Sequence, residues 1–118
     1  RICRELDLWC FNPLWHTDQE AYMEELIGTG FRVIIAGVFS CPFDVSWLGR
    51  EIDRRTLDDL RKAARKYRIT LTGEGGEFET FVIDAPFFSR RIAIEEASAV
   101  CRNYNGVLRI ERAGLVEK

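Results

Sequence analysis

The feature of this sequence that most constrains its fold is an unbroken apolar run at residues 33–39, which reads Val-Ile-Ile-Ala-Gly-Val-Phe. No polar residue alternates with the apolar ones, which is typical of a strand covered on both faces. The run is much shorter than the roughly 18 apolar residues that a membrane-spanning helix requires. We therefore predict a buried strand from Arg32 to Phe39.

Amphipathic helices are predicted on both sides of this strand. The first spans about residues 18–29, because Thr17 and Glu20 form a capping box and Gly30 is a left-handed stop. The second spans about residues 54–67, with acidic residues ahead of basic ones, as the helix dipole favours. The predicted inner faces are Tyr22, Met23, Leu26 and Ile27 in the first helix and Leu57, Leu60, Ala64 and Tyr67 in the second.

The other segments predict the fold class. Residues 2–8 read as the last turns of a helix whose Ile2 and Leu6 face inward, and residues 40–53 read as an irregular loop. Strands are predicted at 79–83, 92–94 and 107–111, the last joined through an Asn105-Gly106 turn, whereas 95–102 fit a helical turn or a strand. The order predicts an α/β fold (α+β at its C-terminal end), with a short parallel sheet flanked by helices and an antiparallel extension.

Charge and cysteine content exclude several classes of protein. Seventeen basic and nineteen acidic side chains give a net charge of −2, which argues against a nucleic-acid-binding protein. No apolar run is long enough to span a membrane. The four cysteines form no C-x-x-C pair and His16 is the only histidine, so no metal site is predicted. Free thiols are expected in a reducing compartment, which favours a cytoplasmic location.

The segment at residues 73–80, Gly-Glu-Gly-Gly-Glu-Phe-Glu-Thr, is the most unusual part of the chain. Three glycines let backbone amides approach a ligand closely, while the carboxylates project around it. Those carboxylates could orient an ammonium, act as a general base or bind Mg²⁺. The alternative is a solvated acidic turn. Asp84, two residues before Pro86, could wall a pocket at the other end of the strand or simply form a turn.

Two further segments contain candidate binding residues. Trp15 and His16 follow Pro13 and could form an aromatic wall, with His16 as a general acid or base; otherwise His16 caps the helix and Trp15 belongs to the core. Arg50 lies in the long loop after the buried strand, where α/β sheets place ligands, and is suited to phosphate or carboxylate. The alternative for Arg50 is a salt bridge to Asp44 or Asp53.

These segments together resemble a known family. The Pro-Leu-Trp before the first capped helix, the Ser-Trp-Leu-Gly-Arg loop and the sixteen residues from Gly73 to Phe88 resemble the C-terminal half of the diphthine–ammonia ligases, particularly the archaeal ones. That family belongs to the N-type ATP pyrophosphatases, which have a Rossmann-like adenine-nucleotide α-hydrolase fold with a PP-loop. The resemblance covers residues 2–94.

The resemblance implies an ATP-dependent ligase. Members are expected to use ATP and Mg²⁺ to adenylate the carboxylate of diphthine on elongation factor 2, after which ammonia displaces AMP to give diphthamide. Their Ser-Gly-Gly-x-Asp-Ser-type nucleotide loop lies in an N-terminal lobe, and this sequence contains no such motif. We therefore expect residues 1–118 to be a single C-terminal, substrate-side domain, inactive alone and without a cofactor of its own.

The resemblance also suggests residue roles. Glu77, Glu74 and Glu79 would be catalytic, facing the cleft between the lobes, with Glu77 first among them. Gly73, Gly75 and Gly76 would bind the cofactor, and the residues expected to bind or border the substrate are Trp15, Arg50, Thr80 and Asp84. Ammonium and elongation factor 2 are the expected partners, with neither nucleic acid nor membrane involved.

Two other functions stay open at this stage. A family member could act on a different acceptor, because adenylation chemistry suits many carboxylates. Alternatively the chain could be a stand-alone binding module without catalysis. The chain begins with Arg1 and not Met, which suggests a fragment, and a lobe removed from it would expose apolar surface and favour a homo-oligomer.

Overall fold

The computed structural model describes residues 1–118. Its elements in chain order are α1 (Ile2–Glu5), α2 (Gln19–Gly28), β1 (Arg32–Val38), α3 (Arg54–Lys66), β2 (Phe78–Asp84), β3 (Arg90–Arg102) and β4 (Asn105–Glu117), with a 3-10 turn at Val45–Trp47. None of the helices has the length and apolar character that crossing a bilayer requires. The bounds of β1, α2 and α3 confirm the predicted buried strand and the two amphipathic helices, and residues 39–53 form the predicted irregular loop between β1 and α3.

The sheet is antiparallel throughout, with the strand order β2-β1-β4-β3. The predicted short parallel sheet is wrong, and only the α/β class and the antiparallel extension are confirmed. A helix between two strands is long enough for a parallel crossover. Here, however, the chain leaves α3, turns back through residues 67–77 and enters β2 in the direction opposite to β1. Helix and strand periodicity carry no information on that direction.

The edge of β1 opposite β2 is shared by two segments. Near its start, Ile52 N–H donates to Val33 O at 2.8 Å and Gly49 N–H donates to Ile35 O at 2.8 Å. Only the last two residues of β1 pair with β4: Gly37 pairs with Val107, and Val38 pairs with Gly106. The loop at 49–52 thus occupies the edge positions that β4 would need, and the hairpin of β3 and β4 diverges from the sheet.

That hairpin is longer than predicted. β3 and β4 have 13 residues each, so residues 95–102 form a strand and not a helical turn. The turn lies at Asn103 and Tyr104, because Arg102 pairs with Asn105, and the predicted Asn105-Gly106 turn is wrong by two residues. Asn103 has a φ of 57°, a left-handed conformation that asparagine tolerates better than most residues.

One hydrophobic core lies between the sheet and the helices α2 and α3. Its fully buried centre includes Phe43, whose ring packs edge-to-face on Trp47 at 4.9 Å and on Phe78 at 5.2 Å between centroids. The buried cluster consists of Met23, Val33, Ile35, Val38, Phe43, Ile52, Leu57, Leu60 and Phe78. Tyr22, Leu26 and Ile27 pack against it. The predicted inner face of α2 is confirmed, as are Leu57 and Leu60 in α3.

Charged side chains hold α2 against α3 at the surface. Arg61 of α3 contacts Glu20 and Glu24 of α2, each at 2.6 Å, and Asp58 of its own helix at 2.8 Å. These carboxylates hold the pKa of Arg61 above its ordinary value. Because four charges share one network, it orients the helices more firmly than an isolated surface pair would.

The start of the chain differs from expectation. The helix α1 has four residues, and the side chains of Ile2 and Leu6 are 68% and 63% exposed, so the predicted inward orientation is wrong. A single helical turn has too few residues to form an apolar face against the core. The cap of α2 is also shifted by one residue, because the Asp18 carboxylate, and not Thr17, accepts from Ala21 N–H at 3.0 Å.

Candidate functional site

A cleft of about 610 Å³ separates the segment before and within α2 from the loop before β2. Its lining residues are Phe11, Asn12, Pro13, Leu14, Trp15, His16, Thr17, Gln19, Tyr22, Thr72 and Glu74. The structure therefore brings two neighbouring candidates, Trp15 and His16, together with one acidic candidate, Glu74, that lies far from them in the sequence. We refer to this space as the aromatic cleft.

The two walls of the aromatic cleft are joined by a hydrogen bond between backbone and side chain. Leu71 N–H, at the base of the loop, donates to the side-chain oxygen of Gln19 at 3.0 Å. Gln19 is the first residue of α2, so the rigid helix fixes the loop beside it. On the helix side, Trp15 and His16 pack edge-to-face at 5.0 Å, and 76% of Trp15 is exposed. Trp15 is thus a wall residue of the cleft and not a core residue.

Glu77 lies behind this loop and closes it. One carboxylate oxygen accepts from Thr70 N–H and the other from the Thr70 hydroxyl, both at 2.9 Å. The Thr70 hydroxyl in turn accepts from Gly75 N–H at 3.2 Å. Only 7% of Glu77 is exposed. Its carboxylate therefore joins both ends of the loop at residues 70–77 and does not face the aromatic cleft.

The pKa of Glu77 reflects two opposing influences. Burial is the largest of the individual influences, and it raises the pKa of Glu77 because a buried site disfavours the charged form. The hydrogen bonds from Thr70, with backbone amides of the loop, stabilise the charged form, and together they hold the pKa of Glu77 below its ordinary value. Glu77 is consequently ionised at neutral pH. A base with a lowered pKa and occupied lone pairs is poorly suited to proton abstraction.

The glycines let the loop close tightly around this carboxylate. A Cβ at Gly75 would collide with the Glu77 carboxylate, and a Cβ at Gly73 would lie 2.7 Å from Phe78 O. Gly73 and Gly76 also have positive φ values of 77° and 84°. The conformation of the loop thus requires small residues whether or not a ligand is present.

The amides of the same glycines have partners inside the loop. Gly73 N–H donates to Thr70 O at 3.4 Å, and Gly76 N–H donates to Gly73 O at 3.0 Å. The amide of Gly75 is bound to Thr70, as described above. A phosphate could reach these amides only if the bonds within the loop were broken, so the expected cofactor-binding role of the glycines has no geometric support here.

The aromatic cleft carries negative charge. Glu74 is exposed and is the only acidic side chain among the lining residues, which include neither lysine nor arginine. The hydroxyl oxygen of Thr72 is buried, has no hydrogen-bond partner within the chain and is not exposed to the cleft. The charge of Glu74 therefore favours a cationic ligand in the cleft.

Arg50 lies elsewhere, in a polar depression of about 420 Å³ formed by the loop after β1 and the start of α3. Its guanidinium donates to Asp59 at 2.7 Å and to the Thr56 hydroxyl at 3.2 Å, and stacks 4.4 Å from the Trp47 ring centre. The ion pair expected as the alternative to ligand binding therefore exists, but with Asp59. Asp44 and Asp53 instead cap the 3-10 turn and α3. Arg50 does not meet Trp15 in one site.

The remaining candidates follow β2 away from the aromatic cleft. Glu79 and Thr80 are exposed on this strand, and Phe78 between Glu77 and Glu79 is buried in the core. Asp84, at the end of the strand, is ion-paired with Lys118 at 2.9 Å. This lysine holds the pKa of Asp84 below its ordinary value. The structure thus places the three glutamates in three environments: a cleft wall, a buried loop closure and an exposed strand.

Neither ATP nor Mg²⁺ fits a site made by these residues alone. No group of three or more His, Cys, Asp or Glu side chains is arranged to hold a metal ion. The glycine amides have internal partners, and the only charge in the aromatic cleft would repel a phosphate.

Sequence reasoning did not assign most of the residues that line the aromatic cleft to a site. Gln19, Tyr22 and Thr72 line it, but Tyr22 was assigned only to the helix core and the other two were not singled out. The bond from Leu71 to Gln19 joins residues 52 positions apart, and no local pattern predicts such a contact. The only sequence feature that pointed to Gln19 was its position as a polar residue at the start of a capped helix.

Comparison with known proteins gives a family match over most of the chain. Residues 18–116 match the family described as "Diphthamide synthase C-terminal domain". This range includes α2, the whole sheet and the loop at 70–77. It begins just after Trp15, so one wall of the aromatic cleft lies partly outside the matched range.

Curated relatives named diphthine–ammonia ligase cover the chain as well. The Bos taurus protein is 32% identical over 100 residues, which are 84% of this chain and 37% of the relative. The Mus musculus protein is 30% identical over 129 residues (99% and 46%), and the Homo sapiens protein is 31% identical over 100 residues (84% and 37%). The chain therefore spans less than half the length of these relatives. All three are mammalian, so the archaeal type expected from the sequence is not borne out.

Proposed function

Because the chain belongs to the diphthamide synthase C-terminal domain family, we propose that it acts as the C-terminal, substrate-side part of a diphthine–ammonia ligase. The observation that carries this proposal is the family match over residues 18–116, which contains the acidic loop of the aromatic cleft. The parent would be an ATP pyrophosphatase with a Rossmann-like, PP-loop N-terminal lobe. We propose the cytoplasm as the location, since the four cysteines are free thiols.

The proposed reaction forms an amide from a carboxylate and ammonia. ATP would adenylate the carboxylate of diphthine on elongation factor 2, with release of pyrophosphate. Ammonia would then attack the acyl carbon, AMP would leave and one proton would be lost, giving diphthamide. ATP with Mg²⁺ supplies the activating group, and its phosphates would bind to residues outside this chain.

The structure supports distinct roles for the three glutamates within this proposal. Glu74 lines the aromatic cleft, so it is placed to orient the cationic part of a substrate or ammonium. Glu77 is a positioning residue in this proposal, because its carboxylate accepts hydrogen bonds from the loop that carries Glu74. Glu79 is exposed on β2 and is free to meet a second lobe or the protein substrate.

The exposed apolar residues at the start of the chain support a further part of the proposal. Trp9 and Phe11 are 96% and 80% exposed, and neither belongs to the core cluster. Burial of such side chains is favourable by roughly 25 cal/mol per Å² of apolar surface. We further propose that the segment containing Trp9 and Phe11 is covered in the working enzyme, either by its other lobe or by a second copy in a homo-oligomer.

Substitution of Glu74 tests the proposed role of the cleft. In the longer ligase that contains this chain, Glu74→Gln is expected to lower kcat/KM for diphthine by roughly tenfold or more, because the cleft loses its only charge. The measurement is the initial rate of diphthamide formation. Glu25→Gln is the matched control, because Glu25 is exposed on α2, forms no salt bridge and lies outside the cleft.

The same rate measurements on the wild-type protein separate the proposed ligase function from the two alternatives. A different acceptor would leave no diphthine-dependent rate in the wild-type protein, although ATP cleavage would respond to another carboxylate. A pure binding module would show neither rate. A normal rate in Glu74→Gln, equal to that of Glu25→Gln, would remove Glu74 from the mechanism.

A further inference from the structure

The long hairpin of β3 and β4 leaves one edge of the sheet without a partner. β3 is the last strand in the order β2-β1-β4-β3, and it pairs with β4 alone. The turn end of the hairpin joins β1, and at the open end Lys118 donates to Ala85 O at 2.9 Å and to Phe88 O at 3.1 Å. The hairpin is therefore fixed at both ends, and the outward N–H and C=O groups of β3 are available to another strand.

The shape of the chain shows how much surface it leaves exposed. The radius of gyration is 16.2 Å, compared with about 13.5 Å for a compact domain of the same length. The accessible surface is 8456 Å², compared with about 6,600 Å² for a compact monomer of 13.7 kDa. Two-stranded hairpins are marginally stable in water, and further strands on the same sheet stabilise them. A strand added to β3 would therefore bury surface that a single chain leaves exposed.

One segment of β3 has a charge pattern that is complementary to itself. Residues 91–95 read Arg-Ile-Ala-Ile-Glu. Antiparallel pairing with a second copy, centred on Ala93, places Arg91 of each strand opposite Glu95 of the other. The same register places Ile92 opposite Ile94. Opposite charges and apolar pairs are cross-strand combinations that stabilise a sheet. We refer to residues 91–95 as the β3 edge.

The structure places the charged side chains of the β3 edge on one face. Gly114 pairs with Ala93, and a Cβ at Gly114 would lie 3.1 Å from a carboxylate oxygen of Glu95, so Glu95 lies on the same face as Ala93. Arg91 lies on that face as well, because side chains alternate along a strand. Arg91 forms no ion pair within the chain, whereas Glu95 contacts Arg112 at 2.7 Å and is still exposed. Both charges can therefore meet a second copy.

The strand at the other end of the sheet does not fit a second copy of itself. The only charged side chains of β2 are the acidic Glu79 and Asp84. Two copies of β2 paired with each other would bring only like charges together, which destabilises a sheet. In β3 the register becomes irregular after Ile94, so regular pairing is confined to the β3 edge.

From the free edge and its charge pattern we infer that two copies of this chain pair through the β3 edge, antiparallel and about a twofold axis at Ala93. The two four-stranded sheets become one continuous sheet, and the interface contains two pairs of Arg91 with Glu95. Because both copies use the same surface, the assembly closes as a dimer. This inference goes beyond the proposed function and does not depend on it, since neither the ligase reaction nor the aromatic cleft enters it.

Sedimentation velocity and hydrogen exchange of the 118-residue wild-type chain test the pairing. Sedimentation is expected to show a species of twice the 13.7 kDa mass, whose share grows with protein concentration. Amides of the β3 edge are expected to exchange more slowly as the dimer forms, whereas those of β2 are not. A chain that stays monomeric up to roughly millimolar concentration would overturn the inference. Slower exchange that is confined to strands other than β3 would overturn it as well.

Charge reversal locates the interface. Arg91→Glu is expected to raise the dissociation constant of the dimer by roughly tenfold or more, because it places two carboxylates opposite each other on both sides of the axis. Glu95→Arg is expected to have the same effect through two opposed guanidinium groups. Arg102→Glu is the matched control, since Arg102 is exposed at the far end of the same strand and lies outside the β3 edge. Its substitution is expected to change the dissociation constant by less than about threefold.

A mixture of the two variants distinguishes lost pairing from a damaged fold. When Arg91→Glu and Glu95→Arg chains are mixed, each carboxylate again meets a guanidinium, so a heterodimer tighter than either variant forms with itself is expected. Circular dichroism of each variant shows that it is folded. Equal weakening by Arg102→Glu, or no recovery when two folded variants are mixed, would overturn the inference. So would a monomeric longer ligase whose β3 edge is protected at every concentration, because its other lobe would then cover this strand.

Discussion

Replacement of Glu77 by glutamine is expected to lower the free energy of unfolding by about 1–3 kcal/mol at pH 7, the cost typical of disrupted buried hydrogen bonds. The carboxylate accepts from both the amide and the hydroxyl of Thr70. Glutamine has a single, uncharged acceptor oxygen, so the Thr70 hydroxyl would have to turn from donor to acceptor, and both charge-assisted bonds would be lost. The loop at residues 70–77 would therefore be held less tightly, even though the two side chains have nearly the same shape.

The same substitution is expected to change the dependence of stability on pH. The folded-state pKa of Glu77 lies below its ordinary value of 4.5, so the unfolded chain binds the proton more readily. This contribution is fully present above pH 4.5 and is lost as pH falls through the folded-state pKa. The difference in unfolding free energy between wild type and Glu77→Gln should therefore shrink progressively below pH 4.5.

Urea unfolding of both proteins at pH 7 and at several values below 4.5 measures this difference. Glu79→Gln is the matched control, because Glu79 is exposed two residues further along the chain and accepts no side-chain hydrogen bond. Its substitution is expected to change stability by less than about 0.5 kcal/mol. If Glu77→Gln behaves like Glu79→Gln at every pH, Glu77 does not close the loop and its assignment as a positioning residue fails.

Replacement of Phe43 by alanine is expected to have the largest effect on stability, a loss of about 3–5 kcal/mol. Phe43 is fully buried, and its ring packs edge-to-face against Trp47 and Phe78. Its removal leaves a cavity between the sheet and the loop that carries Arg50. Such a loss is a large part of the 5–15 kcal/mol that stabilises a typical domain.

Thermal and urea unfolding followed by circular dichroism measure the effect of Phe43→Ala. Phe87→Ala is the matched control, because this phenylalanine is 77% exposed and touches other rings only at the surface. We expect a loss of less than about 1 kcal/mol for the control. A loss at Phe43 no larger than at Phe87 would mean that the aromatic cluster is not the centre of the core.

Local patterns predicted those parts of the fold that local physics determines. The strand β1 could be predicted from its own sequence, because a strand that is covered on both faces is apolar at nearly every position. The helix α3 was predicted over residues 54–67 and spans Arg54–Lys66, because its cap, charges and apolar face agree.

The errors concern features that depend on distant contacts. The direction of β2 is set by a tight loop around Glu77, so a helix between two strands did not imply a parallel sheet here. The hairpin extends far beyond its apolar core because β3 and β4 stabilise each other through backbone pairing, which the side-chain pattern does not reveal. Arg50 was expected to bind a ligand or, as the alternative, to pair with Asp44 or Asp53, but α3 brings Asp59 to it instead.

The candidate site was predicted in part. Trp15 and Glu74 were both selected from their local sequence, and the structure places them in one cleft. The resemblance placed Glu77 first among the glutamates, but it could not show that Thr70 donates to both oxygens of the Glu77 carboxylate. The roles of the individual glutamates in catalysis stay predictions, and Glu74 now has the stronger geometric support.

We propose above that this chain is the substrate-side part of a ligase that turns diphthine into diphthamide. The most direct measurement incubates the longer protein that contains it with ATP, Mg²⁺, diphthine-bearing elongation factor 2 and ¹⁵N-ammonium, followed by mass spectrometry of the factor and assay of AMP. We predict one ¹⁵N atom in the modified residue for each AMP released. A folded, ATP-binding protein that releases no AMP and leaves the factor without ¹⁵N would contradict the claim.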